Sequence, residues 1–430
     1  MWETLKNAWR VKDIRKKLLY TFLMLLIYRL VCVIPAPGIN NSAVATVVAQ
    51  YDALNLVNMM TGNAFSQMSI MAMGITPYIN ASIIMQLLTI AIPALERLQK
   101  DGGEEGKKKI NKITRIVTVA LAVLQAIGII MTLNSQTIND SDKVLLDTYN
   151  NFWGYLVIGV VMAGGTALAM WIGDRITKNG IGNGVSMIIF AGIISNLFNG
   201  IVQAISNVFN GTANAISSLL IILVTTFVIT VVVTFVDMGE RRIPVQYAKR
   251  VVGQKMYGGQ STHIPMKVLS VGVLPLIFAY SFMSFPGTLF TIIAPNSGIA
   301  TWWNNNMSQS SWGYMLVCAL LIIAFTYFYT SITFNPEDMA KNIQQQGGHI
   351  PGIRAGSATV QYLKRSSGRL CLFAALFLAV LATIPSALSV WQSVSIPFGA
   401  SSILIAVSVA LETVRQVEGQ LVMRHYKGFL

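Results

Sequence analysis

Three observations predict an all-α polytopic membrane protein. Apolar runs of about 20 residues, long enough to cross a bilayer, recur along the whole chain. The 430 residues are 54% hydrophobic and only 11% charged, which is not a soluble globular composition. The charges are also distributed asymmetrically. Of the 31 Lys and Arg, all but Lys143 and Arg29 lie in alternate connections, the two tails or the span ends beside them.

Windows of about 20 apolar residues place ten spans, near 18–36, 75–94, 116–134, 153–173, 183–202, 216–236, 268–290, 312–333, 370–389 and 397–414. Segment 61–74 is too short to cross and stands apart. The connections opposite the basic ones hold Lys143 against Asp52, Asp140, Asp142 and Asp147. Basic residues stay on the cytoplasmic side, so both tails, 1–17 and 415–430, are expected there. The net charge of +14 is then mostly topology, with a remainder for an acidic partner or anionic lipid. Trp153, Trp302, Trp303, Trp312 and Trp391 fall on the outer side, as an interfacial belt does. The first apolar run is long, holds Arg29 and ends in IPAPG, which reads as a span rather than a cleavable leader.

Ten spans divide as five plus five, 18–202 and 216–414, joined by the uncharged outer segment 203–215. An odd number per half gives the halves opposite orientation, an inverted repeat. The second span of each half is irregular. In the first, TGNAFSQMSIMAMGITPYINASIIMQLL (61–88) has a short Met-rich part, then Gly74 and Pro77, then a clean apolar helix from Tyr78. In the second, Pro275 is followed by Ser281, Ser284 and Pro286–Gly287. Paired interruptions point to a central pathway, although proline also makes ordinary kinks in membrane helices. Ile75 and Ile79 share a helix face. Such side chains serve either as an apolar gate that excludes ions or as plain packing.

Several chemistries are missing. Away from their ends, the spans carry no Asp, Glu, His or Lys of the kind ion-coupled transport uses. Arg29 is the one clear charge at membrane depth, placed to snorkel or to bond carbonyls between helices. Cys32, Cys318 and Cys371 lie singly in apolar runs and read as packing residues. The three histidines are scattered. No nucleotide, metal or nucleophile motif is present, so neither an enzyme nor a cofactor is expected, and energy must come from a partner. Two cytoplasmic connections, 237–267 and 334–369, are far longer than their helices need. Loops of that length are functional or disordered. Their Pro, Gly and Tyr content argues for ordered, protruding structure over a solvated tether.

Motifs spread over almost the whole chain resemble the SecY family of protein-conducting channels. They are IPAPGIN (34–40), MGITPYINASIIMQLL (73–88), NGIGNGVSMIIFAGI (179–193), ERRIPVQYAKR (240–250), QSTHIPMKV (260–268), FNPEDMAKN (334–342) and GHIPGIRAG (348–356). The resemblance implies two five-helix halves around an hourglass pore in the bacterial plasma membrane. It makes residues 59–73 a half-helix plug, including Met60, Thr61, Gly62, Asn63, Ala64, Phe65, Ser66, Gln67 and Met68. The pore ring falls on Ile75, Ile79, Val185, Ile189, Ile277 and Ile405, and Asn80 and Phe285 face each other across a lateral gate. Arg354 matches an arginine needed by the motor ATPase SecA. Arg241, Arg242, Lys249, Arg250 and Lys255 lie in the second docking loop for SecA or the ribosome. SecE and SecG subunits, signal sequences, nascent polypeptides and membrane lipid complete the implied partners.

This chain departs from the family pattern at Val185, Asn63, Ala355 and Pro244, which bear on ring tightness, plug and loop stiffness. The implied function is passage of unfolded secretory chains, with sideways release of signal and transmembrane segments into lipid. The competing readings are a small-solute secondary transporter, which shares the inverted-repeat plan, and an assembly scaffold without a pathway.

Overall fold

A computed structural model describes residues 6, 8–41, 43–44, 58, 61–100, 102–135, 145–146, 149–210, 215–247, 250–252, 255–257, 261–269, 272, 274–280, 282–283, 298, 302–303, 306–307, 311–392 and 400–427. The chain forms two compact units. One comprises Met1–Leu220, Ser281–Ser311 and Val409–Leu430; the other comprises Ile221–Tyr280 and Trp312–Ser408.

The first unit begins with α1 (Lys12–Val31), which stops short of the two prolines of IPAPG. Helix α2 (Thr76–Ala91) opens with Pro77 in its first turn and ends at Ile92, whose backbone is extended. A residue before proline is driven out of the helical region, and α3 (Pro93–Lys100) leaves α2 at 104°. Helices α4 (Gly103–Ser135), α5 (Phe152–Asn179) and α6 (Gly184–Phe209) follow. Asn183 caps α6 by accepting from the Val185 N–H, and the Thr177 hydroxyl accepts from Gly184 N–H at 2.8 Å. A side-chain carbon at Gly184 would sit 1.9 Å from the Gly173 carbonyl oxygen, so α5 and α6 meet backbone to backbone. Ala8, Ile14, Ile181 and Val417 form a small core that ties the start of the chain to the end of α11 (Ala400–Lys427).

The second unit holds most of α7 (Ala215–Met238), then β1 (Glu240–Tyr247), β2 (Arg250–Val252), β3 (Lys255–Tyr257) and β4 (Ser261–Lys267). Helices α8 (Trp312–Thr333) and α9 (Pro336–Gln345), strand β5 (Gly348–His349) and helix α10 (Ser357–Gln392) complete it. The sheet order is β4-β1-β5, all antiparallel, with Ile243 opposite Ile264 and Gln246 opposite His349.

Among the described residues, six helices are long and apolar enough to cross a membrane, and the bent pair α2–α3 makes a seventh. Helix α1 covers 18–31 of the expected span 18–36 and leaves IPAPG outside the helix, α11 covers 400–414 of the expected span 397–414, and 274–280 is a helical part of the expected span 268–290. Several helices outlast their apolar windows. Charged residues expected in the connections 95–115 and 334–369 form α3, the first turns of α4, α9 and the start of α10. Lys, Glu, Arg and Gln are good helix formers, so the helix continues after the apolar run ends.

Candidate functional site

The stretch before α2 differs from its expectation. Residues 62–75 form consecutive turns rather than a half-helix. Asn63 and Met68 have positive φ (69° and 40°), as do Gly62 and Gly74 (68° and 51°). Left-handed residues interrupt a right-handed helix. The Ser69 N–H therefore bonds back to the Ala64 carbonyl, and Ala72, Gly74 and Thr76 each donate to a carbonyl three residues earlier. Met60 lies outside the described residues.

This string of turns is buried and held along its length. Phe65, Met68, Ala72 and Met73 pack with Ala126, Ile130 and Leu133 of α4 and with Ile158 and Met162 of α5. Gly165 of α5 admits the segment closely, because a side-chain carbon there would lie 1.9 Å from the Ile70 carbonyl oxygen. At the far end the segment pairs with IPAPG. Ala36 N–H donates to the Met68 carbonyl and Ile70 N–H to the Ile34 carbonyl, both at 2.9 Å. At the near end, Asn58 Oδ1 accepts from Ser66 N–H at 2.9 Å, and its amide donates to Asn63 Oδ1 at 3.0 Å. The Asn58 carbonyl accepts from the Asn196 amide of α6 at 3.3 Å. Arg29 of α1 donates to the Gly62 carbonyl at 2.9 Å.

Beside the segment lies a small cavity lined by Tyr28, Thr61, Ile75, Thr76, Ile79, Ile188 and Ile189. Ile75, Ile79 and Ile189 are therefore brought to one cavity. Val185, one turn earlier on α6, is half-buried and does not line it. Ile277 and Ile405 are buried within the helical run 274–280 and within α11. On α2, Asn80 Oδ1 is buried with no hydrogen-bond partner among the described residues. Phe285 lies outside the described residues.

The two long connections form one folded body. Ile243, Val245, Met266, Ala340, Ile343, Ile350 and Leu363 share a core to which the β1–β4 hairpin, α9 and α10 all contribute. Strand alternation sends Ile243 and Val245 inward and leaves Arg242, Pro244 and Gln246 exposed. Arg242 pairs with Glu240 at 2.7 Å, and Arg241 is exposed. Pro244 and Pro265 occupy the same alternating class of pair, opposite His263 and Arg242. A strand tolerates a missing N–H where that group would point away from its partner. Arg250 and Lys255 lie on the β2–β3 hairpin, and Lys249 is outside the described residues. Arg354 sits exposed between Gly352 (φ 80°) and Gly356 (φ 99°), its carbonyl accepting from the Thr359 hydroxyl at 2.9 Å. Asn335 caps α9 and Pro336 opens it, which accounts for the FNPED motif.

Sequence reasoning missed Tyr28, Ile188, Asn58 and Asn196. Asn196 is detectable as a polar residue inside an apolar helix. Tyr28 and Ile188 carry no mark that separates them from packing residues.

Solved structures show the same fold. A protein-conducting channel matches with a TM-score of 0.67 over 94% of this chain and 92% of its own, at 19% identity. A SecY protein whose plug domain was studied for its part in the closed state matches at 0.64 (94% and 92% covered, 19% identity). Sec61 of a canine ribosome–channel complex matches at 0.63 (94% and 92% covered, 17% identity). The class defined by this fold is the multi-pass α-helical membrane protein. The SecY family model matches residues 69–414. The protein translocase subunit SecY of Halalkalibacterium halodurans is 42% identical over 100% of both chains, and that of Corynebacterium glutamicum 39% identical over 99% of both. The chain belongs to the SecY family.

Proposed function

We infer that the chain is the channel subunit of a protein translocase. It passes unfolded secretory polypeptides across the bacterial plasma membrane and releases signal sequences and transmembrane segments into lipid. The observation that carries this reading is the buried string of turns seated beside a cavity lined by Ile75, Ile79, Ile188 and Ile189. Translocated sequences vary, so a pathway for them cannot rest on specific hydrogen bonds. Apolar walls grip no particular sequence and still repel ions by dewetting. In this reading Thr61–Met68 belong to a plug. Ile75, Ile79, Val185, Ile189, Ile277 and Ile405 are the ring residues, and Asn80 and Phe285 are gate residues. A signal helix leaves into lipid by its own apolar surface, at about 0.8 kcal/mol per buried CH₂.

The chain is not itself an enzyme. Work comes from a motor such as SecA or from a translating ribosome, the partner in the canine ribosome–channel complex. SecE and SecG are the accompanying subunits. Arg241, Arg242, Lys249, Arg250, Lys255 and Arg354 supply positive charge on connections that meet acidic protein surface or RNA phosphate. Both tails lie in the cytoplasm, in accord with the distribution of Lys and Arg. The small-solute transporter reading finds no support among relatives named as protein translocase subunits.

The test is precursor import into vesicles carrying the reconstituted complex and SecA. Arg354→Glu should cut import at least about tenfold, the effect of reversing one charge in a docking surface, with membrane insertion and thermal stability unchanged. Full import by this variant would remove Arg354 from the motor interface. Absence of import by the unmodified complex would overturn the channel reading.

A further inference from the structure

The structure assigns Arg29 as a positioning residue that latches the Gly62 end of the folded-back segment; this inference rests on the plug reading above.

Arg29 is the charge at membrane depth that no pathway role absorbs. Its guanidinium donates to the Gly62 carbonyl at 2.9 Å, linking α1 to a segment 33 residues further on. An ionised group in a low-dielectric setting needs a partner, and hydrogen bonds to charged groups are stronger than neutral ones. Gly62 fits this bond in two ways. Its φ of +68° is a conformation glycine adopts without strain. A side-chain carbon there would meet the guanidinium nitrogens at 2.4 and 2.8 Å. Any larger residue therefore pushes the guanidinium from the place where it bonds the carbonyl.

The other end of the segment is fixed differently. Residues 68–70 are bridged to 34–36 by backbone bonds, which among substitutions only proline at 36 or 70 removes. The Gly62 end instead depends on side chains from neighbouring helices, Arg29 of α1 and Asn196 of α6. A segment hinged at 68–70 and latched at 62 opens from its latched end. Displacing it strips Arg29 of this carbonyl, so the latch biases the resting channel towards closure and yields when a translocating chain competes for the space.

The test measures resting ion flux through the reconstituted complex in planar bilayers, alongside precursor import. Deletion of 61–72 serves as the reference leak. Arg29→Gln should raise resting flux about tenfold over the unmodified complex, the effect of losing one charged hydrogen bond, while import persists. Gly62→Ala, with Arg29 intact, should also leak, because the new methyl occupies the guanidinium's place. Arg29→Lys, which keeps a charged donor, should leak less than Arg29→Gln. Two sealed channels, Arg29→Gln and Gly62→Ala, beside a leaking deletion would overturn the latch and leave the plug reading intact. A deletion that does not leak would overturn the plug reading itself. If Arg29→Gln fails to assemble, Arg29→Met, which keeps the apolar stem and loses the donors, takes its place with the same expected leak.

Discussion

The string of turns before α2 and the body built from the two long connections are both short chain segments between long helices, yet they are stabilised in opposite ways. The connection body has an apolar core of its own, with Ile243, Val245, Met266, Ile343 and Leu363 buried beneath a three-stranded sheet. The string of turns has no ladder of its own. It borrows its core from α4 and α5, and its polar fastenings from Arg29, Asn58, Asn196 and the IPAPG stretch. A part with its own core keeps its shape whatever docks on it. A part whose core and outward fastenings are supplied by its neighbours can be released by breaking a few of those fastenings, without unfolding anything else. In the function proposed above, the first suits a platform and the second a stopper.

The contrast is tested most strongly at Ile243. Ile243→Ala should destabilise the connection body by about 2–5 kcal/mol, the usual range for emptying a buried isoleucine. Limited proteolysis from the cytoplasmic face should then cut within 237–267, while resting ion flux stays at the wild-type level. A leak in this variant would show that the two regions are not independent. Gly165→Leu comes next. Its side chain must enter space 1.9 Å from the Ile70 carbonyl oxygen, at a cost of about 1–3 kcal/mol for overpacking. Here resting flux should rise and the proteolysis pattern should not change. The smallest effect is expected at Ser69, whose buried hydroxyl has no hydrogen-bond partner among the described residues. Ser69→Ala removes a polar group that gains nothing from burial, so thermal stability should hold or rise by less than about 1 kcal/mol. A clear loss would mean that this hydroxyl does hold the segment in place.

Much of the fold was legible because the bilayer imposes a simple code. Apolar length marks the helices, and proline and glycine mark where they stop, as Pro93 does at the 104° bend between α2 and α3. Ile75 and Ile79 could be placed on one face from spacing alone. The turns at 62–75 were not legible. Asn63 and Met68 take positive φ there; asparagine enters the left-handed region only occasionally and methionine gives no sign of it. The union of 237–267 and 334–369 into one body was also hidden. Its contacts pair residues about a hundred positions apart, such as Tyr247 with Gln346, and a loop-by-loop reading treats each connection separately. A separation of 33 residues likewise hid the bond from Arg29 to Gly62. The sequence marked the charge as unusual and left its carbonyl unnamed.

In the plug reading proposed above, the bridge between Pro35 and Ser69 has a kinetic consequence. The chain itself keeps such a stopper from being lost to the surrounding water, and the bridge shortens the part that must swing back. Once a translocated chain has cleared the pathway, resealing is a first-order ring closure whose rate does not depend on how many channels the membrane holds. The tether also sets a local concentration far above anything a separate sealing protein could reach. Contact formation in a loop of about ten residues takes on the order of 10–100 ns. The interval during which ions could pass unhindered is then governed by how quickly the last residues of the cargo leave, and not by the search of the stopper for its seat.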